Sequence, residues 1–368
     1  MKVAVVHYWW MTNRGGEAVV KSILELYPEA DLYLLVCDKE TVVDAIGPTF
    51  KGKVYTSFIA RLPFAKRWYQ KYLALMPIAL EQWDLSTYDL IISSEAGPAK
   101  GVLTRPDSIH ICYCHSPMRY IWDMYPLYMS KSGFLVKFSF SIISHWLRVW
   151  DRASADRVDY FICNSNYIKS RVKKFYRRDS EVIFPPVNTS AFFPERPRGD
   201  YYLYLGQLVS YKRADLAVIA LTELGLPLVV IGEGECLSEL RSMAGANVKF
   251  LGRQPSEVVR DHLERCRALV FPGTEDFGIV PVEAMAAGAP VIAYGAGGVL
   301  DTVIDGRTGL LFPSQSVESL KTAVLKIENG EVKFEADVLR KQALRFDVEV
   351  FKSSFSRFIK ECQNSEVR

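Results

Sequence analysis

Short apolar runs, each bounded by glycine, proline or polar residues, recur along the chain. Residues 2–7, 31–36, 90–93, 201–205, 228–232, 248–252, 268–271 and 291–293 read as buried strands by length and content. Two further runs, one starting at Ile109 and ended by Pro117, the other at 159–165, finish in polar residues. Helix-forming segments lie between the runs, and residues 317–327 and 348–362 read as two C-terminal helices. Strands alternating with helices predict a parallel sheet covered on both faces. At 182–188 the pattern pauses in a stiff segment with Pro185 and Pro186 side by side, which forbids a helix there. The domain boundary is placed at this hinge, with residues 1–186 before it and 187–345 after it. Residues from about 346 to 368 are expected to return to the first domain.

One section departs from the alternation. Residues 45–80 contain no Asp or Glu but six basic and seven aromatic residues. On a helix, Phe64, Trp68, Tyr72 and Leu75 would share one face, flanked by Arg67 and Lys71. A basic amphipathic helix with aromatics suits a membrane surface, and the stretch from Phe58 to Met76 is the expected contact. The alternative is a core-facing helix with solvated lysines. A second basic segment, 169–178, reads as a solvated helix face.

Length and composition narrow the class. The chain has 368 residues, room for two domains, and 49% hydrophobic content, ordinary for a globular enzyme. A net charge of +3 gives no argument for nucleic acid. Seven scattered cysteines without metal spacing suggest reduced thiols and a cytoplasmic setting. The chain enters its first strand at Val3, so no secretory signal is expected. No run reaches the ~18 apolar residues of a membrane span. The best one, 133–150, is interrupted by Lys137, His145 and Arg148.

The chemistry concentrates at strand ends. After the strand at 268–271, Pro272 and Gly273 break the backbone, and Glu275 lies in the loop that follows. Phe277–Gly278 turns it again, and Pro281 suits a first helical turn that would also hold Glu283. Gly288 and Pro290 suit the end of that short helix. The free N–H groups near Gly278, Ile279 and Val280 form an anion site with a carboxylate on each side. A phosphate flanked by carboxylates that accept from hydroxyls suits a nucleotide sugar. After the strand at 201–205, Gly206 and Gln207 lead to Lys212 just before a helix, a second phosphate cradle. Gly15 and Gly16 follow the first strand and allow close approach of a ligand. His115 projects at a strand's C-terminal end, where open α/β sheets place their ligands, with Arg119 a further contact.

The frame from Phe271 to Pro290, with Glu275 and Glu283 inside it, resembles the signature of glycosyltransferase family 4, retaining enzymes of the GT-B fold. The resemblance covers nearly the whole chain and is most specific from Tyr204 to Gly309. It implies two Rossmann-like domains facing a cleft, with the last helix crossing back to the first. It implies that Glu275 faces the donor sugar, Glu283 binds the ribose, Lys212 pairs with the diphosphate and His115 contacts the sugar. Gly15 and Gly16 would lie near the donor phosphate, and backbone near Arg253 would hold the base. Family members commonly carry Arg where this chain has Gln207. No metal site and no cofactor beyond the nucleotide diphosphate sugar is expected, since no Asp-x-Asp triplet occurs.

The segments around His115 and Lys212 look most like bacterial polysaccharide mannosyltransferases. GDP-mannose is the expected donor and a lipid-linked glycan the expected acceptor, at the inner face of the cytoplasmic membrane. A UDP-sugar donor remains open. So do a sugar-nucleotide epimerase and a catalytically silent binding protein of the same fold.

Overall fold

The structure, a computed structural model, describes residues 1–130 and 133–366. The chain divides into two compact units: residues 1–185 with 351–368, and residues 186–350.

The first unit is built on seven parallel strands. These are β1 (Val3–Trp10), β2 (Asp31–Cys37), β3 (Val54–Thr56), β4 (Leu90–Glu95), β5 (Ile109–Cys114), β6 (Tyr160–Cys163) and β7 (Glu181–Val182). Their order in the sheet is β3-β2-β1-β4-β5-β6-β7. The register sets His7 beside Ser94 and Ser94 beside Tyr113. Alternate residues of β1 serve the two faces. Val3 and Val5 join a core with Val19, Val20, Ile23 and Leu24 of helix Gly15–Leu26. Ala4 and Val6 join a second core on the opposite face, with Ile91, Met76 and Leu80. That is why these strands are apolar on both sides. Helix Val348–Glu366 sets Phe351, Phe355, Ile359 and Cys362 into the first core. Their i, i+4, i+8 and i+11 spacing is one helical stripe. Each phenylalanine so buried contributes about 1.5–3 kcal/mol of transfer free energy.

The second unit repeats the plan with six parallel strands. These are β8 (Tyr202–Leu205), β9 (Leu228–Ile231), β10 (Val248–Gly252), β11 (Ala268–Phe271), β12 (Val291–Tyr294) and β13 (Gly309–Phe312). Their order is β10-β9-β8-β11-β12-β13. In both sheets the order reverses once, between β1 and β4 and between β8 and β11. Ligands of open α/β sheets bind outside the carboxyl ends of the strands at such a point.

The basic aromatic section is not one helix. It is a turn at Phe58–Arg61, a single helical turn Ala65–Trp68, a 3₁₀ stretch Tyr69–Leu75 and a helix Met76–Glu81. A 3₁₀ stretch repeats every three residues, so the i, i+4 aromatic stripe falls out of line. Phe64 adopts a left-handed backbone with φ +54° after Pro63 and starts the break. Lys66 is paired with Asp38 at 2.7 Å. The basic segment near residue 170 forms helix Asn166–Tyr176, capped by Ser165, whose Oγ accepts from the Ile168 N–H at 3.1 Å. Its Arg171 is buried, not solvated, and donates to Asp123 at 3.0 Å and to Ser116. It thereby clamps the loop that follows His115.

Among the described residues no helix is long and apolar enough to cross a membrane, and the cysteines are free thiols.

Candidate active site

The carboxyl ends of β1, β4 and β5 bring two of the chain's five histidines, His7 and His115, together with Ser94. The Ser94 hydroxyl lies 2.8 Å from His115 Nε2 and 3.2 Å from His7 Nδ1. His7 Nδ1 also lies 3.1 Å from the Ser94 carbonyl, which can only accept, so Nδ1 carries the proton. His7 Nε2 is buried with no hydrogen-bond partner among the described residues. Burial pulls both rings down, His7 to about 3, helped by the neighbouring His115, and His115 to about 4. Both are therefore neutral near pH 7.

Gly16, in the first turn of helix Gly15–Leu26, closes over this cluster. A Cβ there would meet Tyr8 Oη at 3.2 Å, His7 Cε1 at 3.7 Å and His115 Nε2 at 3.8 Å. Gly16 thus lies beside His115. Glu17 is buried, accepts the Arg14 N–H at 3.1 Å, and is raised by burial to about 7.

A buried ionic network supports these strand ends. Lys100 donates to Glu95 Oε1 at 2.9 Å and to Asp151, and its own N–H donates to Glu95 Oε2 at 2.7 Å. Trp122 Nε1 donates to Asp151 at 2.7 Å, and Tyr176 donates to it at 3.0 Å. The Glu95 carbonyl accepts the His115 N–H at 2.6 Å. Sequence reasoning missed His7, Ser94, Glu95, Lys100 and Asp151. The available signal was a charged residue closing an apolar strand, Ser93-Ser94-Glu95.

In the second unit the ends of β8 and β11 bring together Lys212 and Glu275, which the sequence reading assigned separately. Lys212 Nζ lies 2.8 Å from Glu275 Oε1, with both side chains largely but not wholly buried. The approach depends on missing side chains. A Cβ on Gly273 would come within 2.8 Å of Lys212 Cα. Gly206 faces Lys212 Nζ, where a Cβ would sit 3.7 Å away. The Gly298 N–H donates to the Glu275 carbonyl at 2.9 Å, and a Cβ there would meet Phe277 Cα at 2.3 Å. So the glycine turn at 295–298 is a brace for the acidic loop.

Gly278 takes φ +87° and hands the chain to helix Ile279–Ala286. Ile279 and Val280 open that helix, so their N–H groups lack intrahelical partners. Glu283 is its fifth residue and sits in the second turn, one turn later than expected, because the helix starts at Ile279 and not nearer Pro281. It is part-buried, and burial raises it to about 7. Its carboxyl receives no hydrogen bond from the described residues. Gln207 and Arg253 are exposed, each directly after the glycine that follows or closes a strand, β8 or β10. Arg213, with φ +53°, is tied to Asp215 at 2.9 Å.

These two repeated sheets, with polar clusters at the reversal points, define the GT-B class of protein. Two family models match along the chain: Glycosyltransferase Family 4 over residues 13–191 and Glycosyl transferases group 1 over residues 189–344. The chain thus carries two glycosyltransferase domains, one after the other. It is similar to alpha-1,3/1,6-mannosyltransferase alg2 of Schizosaccharomyces pombe, 26% identical, over 85% of this chain and 71% of that one. It is also similar to a GDP-mannose-dependent alpha-(1-6)-phosphatidylinositol monomannoside mannosyltransferase of Mycolicibacterium smegmatis. That match is 31% identical over 44% of this chain. The chain spans about half the length of the first curated relatives it matches, 50% in each case. Among solved structures, Anabaena HepE in complex with UDP has the same fold, with a TM-score of 0.70 at 16% identity, covering 98% of this chain and 100% of that one.

Proposed function

We propose that the protein transfers a hexose from a nucleotide diphosphate sugar to a growing glycan, with retention of anomeric configuration. The observation that carries this reading is the Lys212–Glu275 pair at the reversal point of the second sheet, beside the free helix start at Gly278–Val280. Without ligand the two side chains neutralise each other. A donor diphosphate would draw Lys212 to itself, and Glu275 would then be free to accept from sugar hydroxyls. As the sugar becomes cation-like, negative charge grows on the leaving diphosphate, and Lys212 and the helix N–H groups stabilise it. Glu283, with its unoccupied carboxyl, takes the ribose hydroxyls. Attack on the face the diphosphate leaves needs no protein nucleophile. His115, held neutral, orients the sugar and does not act as a base at pH 7.

Mannose from GDP-mannose is the proposed donor, supported by the two mannosyltransferase relatives. A lipid-linked glycan of surface polysaccharide assembly, of the O-antigen kind, is the proposed acceptor. That places the protein peripherally at the cytoplasmic face of the inner membrane. The test is incubation with a panel of GDP- and UDP-sugars, with and without a lipid-linked acceptor. Acceptor-dependent release of nucleotide from GDP-mannose, with the donor's anomeric coupling kept in the product NMR spectrum, is the expected result. Sugar conversion without acceptor would make it an epimerase, and binding without turnover a silent binding protein.

A further inference from the structure

The largest exposed apolar feature lies outside both clusters, on helix Phe134–Ser154. One of its faces is packed: Ser144, Leu147, Asp151 and Ser154 are buried at helical spacing. At about 100° per residue, Phe134, Leu135, Phe138, Ile142, Trp146 and Val149 fall within an arc of roughly 120°, centred opposite that row. All six face solvent, Phe134 and Leu135 at 81% and 79% exposure, Phe138 and Val149 at 61% and 60%. A helix whose exposed face is apolar needs a cover.

Charge selects the cover. From residue 124 to 150 there is no Asp or Glu, while Lys137 and His145 are exposed; Arg148 is engaged internally, donating to the Ile121 carbonyl and lying over the Tyr125 ring. Two copies of this helix facing each other would bring cations together with no acidic residue to pair them, and helix pairs rely on such pairing. An anionic lipid surface supplies both an apolar layer and the missing negative charge. Trp146 and the phenylalanines suit the boundary between headgroups and acyl chains. The charged residues on the helix preclude crossing, and it meets the description of an element that lies in the interface plane.

We propose that helix Phe134–Ser154 docks the protein on an anionic membrane, its 134–149 apolar face in the headgroup boundary. The proposal rests on the membrane side of the function above and moves its main contact away from Phe58–Met76. The packed face of the same helix gives the docking a use. Asp151 binds Lys100, Lys100 binds Glu95, and the Glu95 carbonyl holds the His115 N–H. The lipid-facing helix is thereby fixed to the strand ends that carry His115.

The experiment is flotation of the full chain with vesicles of phosphatidylcholine, with and without phosphatidylglycerol. The compared variants are a Leu135→Ser/Phe138→Ser/Ile142→Ser triple and a charge reversal of Arg61, Lys66, Arg67 and Lys71. The wild type should float with the anionic vesicles, the triple variant should lose that by about tenfold or more, and the charge reversal should change it less. Nucleotide binding by the triple variant, measured by calorimetry, should stay at the wild-type level. That readout keeps a failed donor assignment distinct from a failed docking assignment. Unchanged flotation of the triple variant overturns the proposal. So does no flotation of the wild type, or a wild-type dimer in sedimentation that the triple variant dissolves.

Discussion

The two units share a strand order and a place for polar residues, and they treat charge in opposite ways. In the first, the cluster at the β1/β4 reversal is dehydrated until its rings are neutral: His7 and His115 are lowered by burial. In the second, the cluster at the β8/β11 reversal keeps an ion pair, Lys212 with Glu275, in partial contact with water. A neutral cluster can orient hydroxyls by hydrogen bonds. A charged one can neutralise a diphosphate. The comparison teaches that one architecture serves both roles by setting how far water is excluded from the strand ends.

The largest effect should come from removing the charge in the second unit. Lys212→Ala is expected to lower turnover by about 10²–10³, the loss typical of removing one preorganised stabiliser of developing charge. Glu275→Ala should lower turnover more than donor affinity, since its proposed partner in the complex is the reacting sugar. Steady-state kinetics beside calorimetry with the free nucleotide diphosphate separates the two. A Lys212→Ala variant with most of its activity would break the comparison at its charged end.

The neutral end is tested with acid. Both histidines titrate lower in the fold than near 6.5 in the unfolded chain, so the unfolded chain binds protons first as pH falls. The stability held by the neutral rings is complete above pH 6.5 and drains as pH falls towards 4, by up to about 1.4 kcal/mol per ring for each pH unit. Glu17, raised to about 7, works the other way: its contribution is present below 4.5 and is lost as pH rises to 7. A variant therefore isolates the histidine term better than the wild type alone. His7→Gln should show a smaller fall in melting temperature between pH 7 and pH 5 than the wild type. An equal fall would mean the rings are hydrated.

Much of this was legible in the sequence. Apolar runs placed the strands to within a few residues, because a doubly covered parallel sheet leaves few polar positions inside it. The glycine and acidic frame around Glu275 was legible because glycine is forced wherever backbone meets backbone, as Gly273 meets Lys212. The Glu95–Lys100–Asp151 network was not. Its members are far apart in sequence, and a buried charge looks like a solvated one until its partner is known. The aromatic stripe at 64–75 failed for another reason: a period of four was assumed where the backbone turns every three. The reading of 133–150 as too polar to span agrees with the described helices, but periodicity along it would also have shown the exposed apolar face of helix Phe134–Ser154.

A smaller effect is expected at Glu283, which stands between the two regimes as a part-buried carboxyl with no hydrogen-bond partner among the described residues. Glu283→Ala should weaken nucleotide binding by roughly tenfold, the loss of an ordinary hydrogen bond or two. Its folded titration is raised from 4.5 to about 7. Stability is therefore lost as pH rises through that window, and Glu283→Gln should remove the loss. Compared with the wild type, that variant should gain about 1 kcal/mol between pH 5 and pH 8, after screening by water at its exposed part. A flat difference in chemical denaturation across this range would show that the carboxyl ionises freely.

The smallest effect tests whether the second unit concentrates its charge on one residue. Gln207 is exposed directly after Gly206, and it carries a neutral amide where the resembled family commonly has arginine. An amide donates to phosphate with about 0.5–1.5 kcal/mol, against roughly 1.5–3 when the donor is charged. Arg213 does not make up the difference from where it stands, because Asp215 holds it at 2.9 Å. On the proposed function, Lys212, which faces Gly206, is then the cation for the diphosphate at this reversal point. Gln207→Ala should lower nucleotide diphosphate affinity only a few-fold, within that ordinary hydrogen-bond range. Gln207→Arg should be tolerated and should tighten it, with a steeper dependence on salt as a second cation enters. Calorimetry at two ionic strengths reads both. If Gln207→Ala weakens binding as much as Lys212→Ala does, the diphosphate lies nearer the exposed glycine edge, and the charge in this unit is shared and not concentrated on Lys212.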